Sequence, residues 1–294
     1  MFLKIEFNEV NMDLIQLLFV IIGLLLGSFL NVCISRIPLC KSVIFPRSVC
    51  PSCSQQIKFY DNIPVISFVF LGGRCRLCKA RISWQYPVVE ILTGTIFWIT
   101  YLTYGAQVRS FILLMFFSSL IVLIFIDLNE RILPNIITLP GILLGTACSF
   151  WISIDDPTGL FVLKNLGISE QLEWRVSFTN SLLGIFLCGG FFWIVAGIYL
   201  YLKKSEGMGG GDIKLIGMIG GFLGVKLGFL TIMIGSILGT LIGLSFIKIM
   251  NKDIKYELPF GSFLGGAAIV SALWGQQIIS WYSNVVNSIR IQGF

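Results

Sequence analysis

Histidine is missing from this sequence altogether. That absence removes the serine–histidine–aspartate triad and the cysteine–histidine pair, which both need an imidazole to carry the proton. It also removes the HExxH helix of the zinc metalloproteases. Charge is the second scarcity. Asp, Glu, Lys and Arg make up 12% of the chain against 56% hydrophobic residues, too little polar surface for a water-soluble globule of 294 residues. The formal net charge is +6, but no basic face with aromatic stacking partners stands out, so a nucleic-acid role is not expected.

What fills the chain instead is long apolar runs, and about 20 such residues in a helix cross the hydrocarbon core. We read about eight candidate spans, at 14–34, 87–104, 110–126, 132–152, 180–202, 213–225, 227–247 and 259–282. The sixth is short and glycine-rich. The expected fold class is an all-α polytopic bundle with lipid around it, because a membrane helix satisfies its own backbone. Glu6, Glu9 and Asp13 precede the first span where a signal peptide would carry a basic region, so it reads as a retained helix.

Loop charge predicts the orientation. After the first span come Arg36, Lys41, Arg47, Lys58, Arg74, Arg76, Lys79 and Arg81, against Asp61 alone. The positive-inside rule places that segment in the cytoplasm. Counting forward, the loops at 127–131, 203–212 and 248–257 fall on the same side. The long opposite loop holds Asp155, Asp156, Glu170 and Glu173 with only Lys164 and Arg175, in agreement. Two regions are expected: 14–104, containing the polar stretch 35–86, and a membrane bundle over 110–282. Glycine pairs and series at Gly23/Gly27, Gly235/Gly239/Gly243 and Gly261/Gly265 have helix-packing spacing and identify no function.

Two clusters carry chemistry. Cys50-Pro51-Ser52-Cys53 and Cys75-Arg76-Leu77-Cys78 are paired knuckles on the basic loop. A reducing cytosol disfavours a disulfide there, and two CxxC pairs about twenty residues apart suit four thiolates on a structural zinc. A redox pair or unrelated free thiols are the alternatives. Cys33, Cys148 and Cys188 fall in apolar spans and read as core, whereas Cys40 has no assigned role. The second cluster is Asp127, ending the third apolar run, and Asp212, which follows Gly209-Gly210-Gly211 at the start of the sixth. Ionisable groups at membrane spans are functional candidates. Two close carboxyls sharing one proton suit peptide hydrolysis, one drawing a proton from water and the other protonating the scissile carbonyl. The alternatives are a helix cap at Asp212 and a solvated loop residue at Asp127. A proton-coupled transporter using the pair as relay groups is the main rival function.

The order of these motifs resembles the bacterial type 4 prepilin leader peptidase/N-methyltransferase family. The resemblance runs from Gly27-Ser28-Phe29-Leu30-Asn31 and Arg36-Ile37-Pro38 through the doubled CxxC with Asn62-Ile63-Pro64. It continues with Tyr86-Pro87-Val88-Val89-Glu90, Asp127 with Leu133-Pro134-Asn135, the GxGD pattern ending at Asp212, and Pro259-Phe260-Gly261. It implies an aspartyl peptidase with Asp127 and Asp212 catalytic. The implied substrates are prepilins or pseudopilins with an apolar N-terminal helix, cut at the cytoplasmic face of the bacterial inner membrane. It also implies S-adenosylmethionine-dependent N-methylation of the new N-terminus. No methyl-donor residues can be named from the sequence. Trp84-Gln85 is a departure, since relatives often carry arginine beside the tyrosine.

Overall fold

A computed structural model of the chain describes residues 14–154, 156–167, 172–204, 209–249 and 258–292. Glu6, Glu9, Asp13, Asp155, Glu170 and residues 205–208 and 250–257 of the expected loops lie outside these residues. Among the described residues there is no strand, only two isolated bridges in the cysteine segment. The helices are α1 (Leu14–Arg36), α2 (Ile66–Phe70), α3 (Gln85–Tyr104), α4 (Val108–Glu130) and α5 (Asn135–Cys148). They continue with α6 (Pro157–Asn165), α7 (Glu173–Gly184), α8 (Phe191–Lys203), α9 (Gly210–Ile249) and α10 (Phe260–Gln292). A π-helical turn, Ile185–Gly190, joins α7 to α8 in one apolar run.

Among the described residues, five helical runs are long and apolar enough to cross a membrane: Leu14–Arg36, Val108–Glu130, Glu173–Lys203, Gly210–Phe246 and Phe260–Ser288. The chain is a multi-pass membrane protein. The span expected at 132–152 is reduced to α5, a helix of 14 residues with Pro140 inside it. At 1.5 Å per residue this reaches only about 21 Å. The sixth and seventh expected spans form one 40-residue helical run, α9, broken at Gly224 with φ 78° and ψ −173°. Unbroken, that length would be about twice the hydrocarbon thickness.

The chain divides into two compact units, residues 1–32 with 44–110 and residues 33–43 with 111–294. In the first, α1 packs closely on α3. A Cβ on Gly23 would fall 2.9 Å from Gly94 Cα, and one on Gly27 would fall 2.7 Å from Glu90 Cα. Glu90 is buried and accepts the Val65 backbone N–H at 2.7 Å, tying the residues after Pro64 to α3.

In the second unit α9 is the central post, contacting α5, α7, the π turn and α10. Its buried Leu215, Ile216, Met218 and Ile219 form the core with Phe116, Phe117, Leu120 and Ile121 of α4. Phe116 and Phe222 stack with ring centroids 4.4 Å apart. Small residues permit the close crossing, because Gly184 and Gly220 meet backbone to backbone.

A helix break is tolerated in a membrane bundle only when its freed backbone groups find partners. Asp156 supplies one here. Its Oδ2 accepts the Lys226 N–H at 2.7 Å just beyond the break, and its Oδ1 accepts the Thr158 N–H at 3.0 Å at the start of α6. Asn180 of α7 donates to the Ile154 and Asp156 carbonyls and accepts from Gly159 N–H. Asp156, counted from sequence among the charges of the long loop, is therefore 5% exposed and structural. Asp156→Ala leaves two N–H groups without their acceptor. We expect it to cost about 1–3 kcal/mol, measured as a lower midpoint in thermal unfolding of the detergent-solubilised chain. An unchanged midpoint would show that the clamp is dispensable.

Candidate active site

Three helix ends converge in the second unit. The last turn of α4 presents Asp127. Its backbone carbonyl accepts the Arg131 N–H at 2.9 Å, and Arg131 turns the chain with φ 55°. Pro134 then caps the start of α5, and the intervening Leu133 packs against the Gly211 and Gly261 positions. The first turn of α9 presents Asp212, whose N–H bonds the Gly209 carbonyl at 3.1 Å. The first turn of α10 presents Gly261 and Ser262 immediately after Pro259.

Gly261 fixes the relation between the carboxyls. A Cβ there would lie 3.2 Å from Asp127 Oδ2, 3.2 Å from Asp212 Oδ1 and 2.8 Å from Leu133 Cδ1. The two carboxylate oxygens can be no farther apart than twice the first distance. Gly211 similarly faces Leu133, with a Cβ position 2.9 Å from its Cβ, and Gly209 faces Asp212 Oδ2 at 3.5 Å. Gly211 and Gly261 are needed here for space, since a side chain would push into the leucine or the carboxyls, whereas a Cβ on Gly209 would make ordinary contact.

Asp127 is 5% exposed, so it is not a solvated loop residue. Among the described residues, no backbone N–H of α9 bonds the Asp212 carboxyl, which therefore does not cap its helix. Both groups sit within about a turn of their helix ends. A transporter relay would put them near mid-membrane between broken helices.

Sequence reasoning missed Ser262. Its N–H donates to Asp127 Oδ2 at 2.7 Å, and its hydroxyl lies 2.8 Å from the same oxygen. The available signal was its place directly after Pro259-Phe260-Gly261, where a helix start leaves N–H groups free. Lys214, two residues beyond Asp212, donates to Asn135 at 2.8 Å and links α9 to the first residue of α5.

In the other unit, the Cys50, Cys53, Cys75 and Cys78 sulfurs all lie within 4.8 Å of one another. Each knuckle is the same turn. Ser54 N–H bonds the Cys50 carbonyl and Lys79 N–H bonds the Cys75 carbonyl, at 2.8 and 3.1 Å. Ser54 and Lys79, each following a knuckle's second cysteine, have φ of 56° and 58°. Cys50 and Cys78 sulfurs are 3.8 Å apart. A tetrahedron with metal–sulfur bonds of about 2.3 Å has edges of about 3.8 Å, so the donor set fits a four-thiolate ion. The backbone N–H groups of Cys53 and Ser52 pull the Cys50 thiol down to about 6, whereas the Cys78 thiol, despite the Ala80 backbone N–H, is pushed up to about 11 by desolvation and the other three sulfurs. Cys40 is exposed and outside the cluster, Cys33 and Cys188 are buried, and Cys148 is partly buried.

Comparison with known proteins places both halves of the chain. Residues 21–104 match the family model of the bacterial peptidase A24 N-terminal domain, and residues 114–244 that of the type IV leader peptidase family. Several relatives carry the name prepilin leader peptidase/N-methyltransferase. One from Pseudomonas putida is 30% identical, covering 88% of this chain and 90% of the relative. One from Bacillus subtilis is 31% identical, covering 89% and 95%. One from Legionella pneumophila is 30% identical, covering 90% and 94%. No solved structure matches the chain at a significant level.

Proposed function

The chain belongs to the type IV leader peptidase family, and from that membership we propose that it removes the leader peptide of type IV prepilins or pseudopilins with Asp127 and Asp212, then methylates the new N-terminus. The observation that carries the catalytic assignment is the pair of carboxyl oxygens flanking Gly261. Two carboxyls that close share a proton, because ionising both is costly. The ionised member takes a proton from water as the water oxygen attacks the scissile carbonyl carbon. The protonated member gives its proton to the carbonyl oxygen. As the carbon–nitrogen bond breaks, the leaving amine takes the proton that came from water. Gly209 and Gly210 leave room for an extended substrate backbone beside the pair.

The four-cysteine cluster suits a structural zinc held by Cys50, Cys53, Cys75 and Cys78. Four protein ligands close the coordination sphere, and the ion would supply folding free energy to a segment with little buried apolar surface. We assign the peptidase to the bundle over 110–282. The 14–104 region, with its cysteine loop at 35–86, we associate with methyl transfer. The basic loop supports a cytoplasmic active-site face in the bacterial inner membrane.

S-adenosylmethionine would supply the methyl group. Cleavage exposes an α-amine with a pKa of about 8, which leaves a neutral nucleophilic fraction near neutral pH. The reading is tested by incubating the purified chain with a synthetic prepilin and S-adenosylmethionine, followed by mass spectrometry. The expected product is the mature chain plus one methyl. Because the aspartates act only in hydrolysis, Asp127→Asn should still methylate a pre-cleaved pilin N-terminus at the wild-type rate. Complete cleavage by the wild type without the added methyl mass would restrict the chain to peptidase chemistry.

A further inference from the structure

The two aspartates do not have equal surroundings. Asp127 Oδ2 receives the Ser262 backbone N–H at 2.7 Å and the Ser262 hydroxyl at 2.8 Å. Both residues are more than nine-tenths buried. The Ser262 hydroxyl has one hydrogen and a second acceptor in reach, the Ile124 carbonyl at 3.0 Å. That carbonyl lies within α4, where the helix supplies a donor of its own. The hydroxyl hydrogen is thus available to Asp127. Two donors converging on one oxygen suit an anion.

Asp212 offers the contrast. Among the described residues its carboxyl accepts no hydrogen bond, and its oxygens face the glycines at 209 and 261. An anion without donors, partly withdrawn from water, is the more costly of the two to maintain.

We propose that Ser262 is a positioning residue for Asp127, an inference that rests on the aspartate pair of the preceding subsection. Ser262 pins Oδ2 and stabilises the carboxylate, leaving Oδ1 as the oxygen that receives the proton of water. The shared proton resides on Asp212. In the forward step the water oxygen bonds the carbonyl carbon, a water proton passes to Asp127 Oδ1, and the Asp212 proton passes to the carbonyl oxygen. When the carbon–nitrogen bond breaks, the Asp127 proton goes to the amine nitrogen. One hydroxyl proton of the collapsing diol returns to Asp212. The pair is regenerated as it began, with no other reactant.

The experiment uses the full-length chain in lipid nanodiscs and a synthetic prepilin segment, with kcat and KM measured separately. Ser262→Ala keeps the N–H and loses only the hydroxyl. Its kcat should fall about tenfold, the effect of one hydrogen bond to a charged group, with KM unchanged and the chain still folded. Ser262→Thr retains the hydroxyl and should restore kcat. Ser262→Gly repeats the deletion in a smaller residue, should the alanine variant fold poorly. Unchanged kcat in both deletions, a loss expressed in KM, or a threonine variant no better than alanine would overturn the proposal. Asp127→Asn is run in parallel. If that variant cleaves normally, the aspartate pair itself is wrong. If it is inactive while Ser262→Ala keeps wild-type kcat, the role of Ser262 alone falls.

Discussion

Asp127→Asn and Asp212→Asn should each abolish prepilin cleavage while the chain still inserts and folds. An amide has nearly the shape of a carboxylate but can neither take the proton of water nor return one to the leaving amine. General acid–base steps typically contribute about a hundred- to ten-thousandfold, and in the proposed mechanism both carboxyls take part in every turnover, so the loss should be at least about a thousandfold. Folding should survive for a local reason. In Asp127→Asn the amide oxygen can occupy the Oδ2 position and still accept the Ser262 N–H and hydroxyl. In Asp212→Asn no hydrogen bond of the carboxyl is lost among the described residues. The measurement is mass spectrometry of a prepilin incubated with each purified variant, alongside its thermal midpoint and gel-filtration profile. Normal maturation by either well-folded variant would remove that aspartate from the chemistry.

Replacing any one of Cys50, Cys53, Cys75 and Cys78 by serine should release zinc and unfold the cysteine segment. The segment has few internal resources. Between residues 44 and 84 only Cys50 and Pro64 are buried, while Phe59, Phe70 and Trp84 are strongly exposed. A four-thiolate zinc is worth about 10–16 kcal/mol of apparent binding free energy in small zinc modules, far more than the few backbone bonds of the two knuckles can replace. Elemental analysis should find about one zinc per wild-type chain, as four ligands on one ion require, and close to none in the Cys75→Ser variant. Limited proteolysis should then cut the segment first. Cys40→Ser is the control, because Cys40 stands outside the cluster, and its zinc content should be unchanged. Metal-free wild-type protein with all thiols reduced would rule out the zinc site.

Much of this protein was legible along one dimension. The apolar runs mark the helices because a bilayer enforces length and composition locally. Even the gap between the sixth and seventh runs, at 226, falls two residues from the break at Gly224. The doubled CxxC spacing anticipated the sulfur cluster, since each knuckle is a local turn needing only two to meet. The length of α5 was less legible. Residues 132–152 are apolar, but composition does not register that Pro134 precedes the helix, that Pro140 lies within it and that the helix ends before Ser149.

The sequence by itself determined the class of protein, the cysteine cluster, the candidate status of Asp127 and Asp212, and the exclusion of histidine chemistry. Each follows from residue identity or from spacing over a few residues. Only the tertiary structure decided which groups stand together. Ser262 meets Asp127 across 135 residues of sequence, and Asp156 reaches Lys226 across 70. No periodicity encodes such a pairing. Asp156 and Asp127 look alike in sequence, each a carboxylate at the edge of an apolar run. Folding surrounds Asp156 with backbone donors at a helix break and makes it a structural clamp. It places Asp127 across a glycine from a second carboxyl, and that proximity is the physical basis for assigning it chemistry.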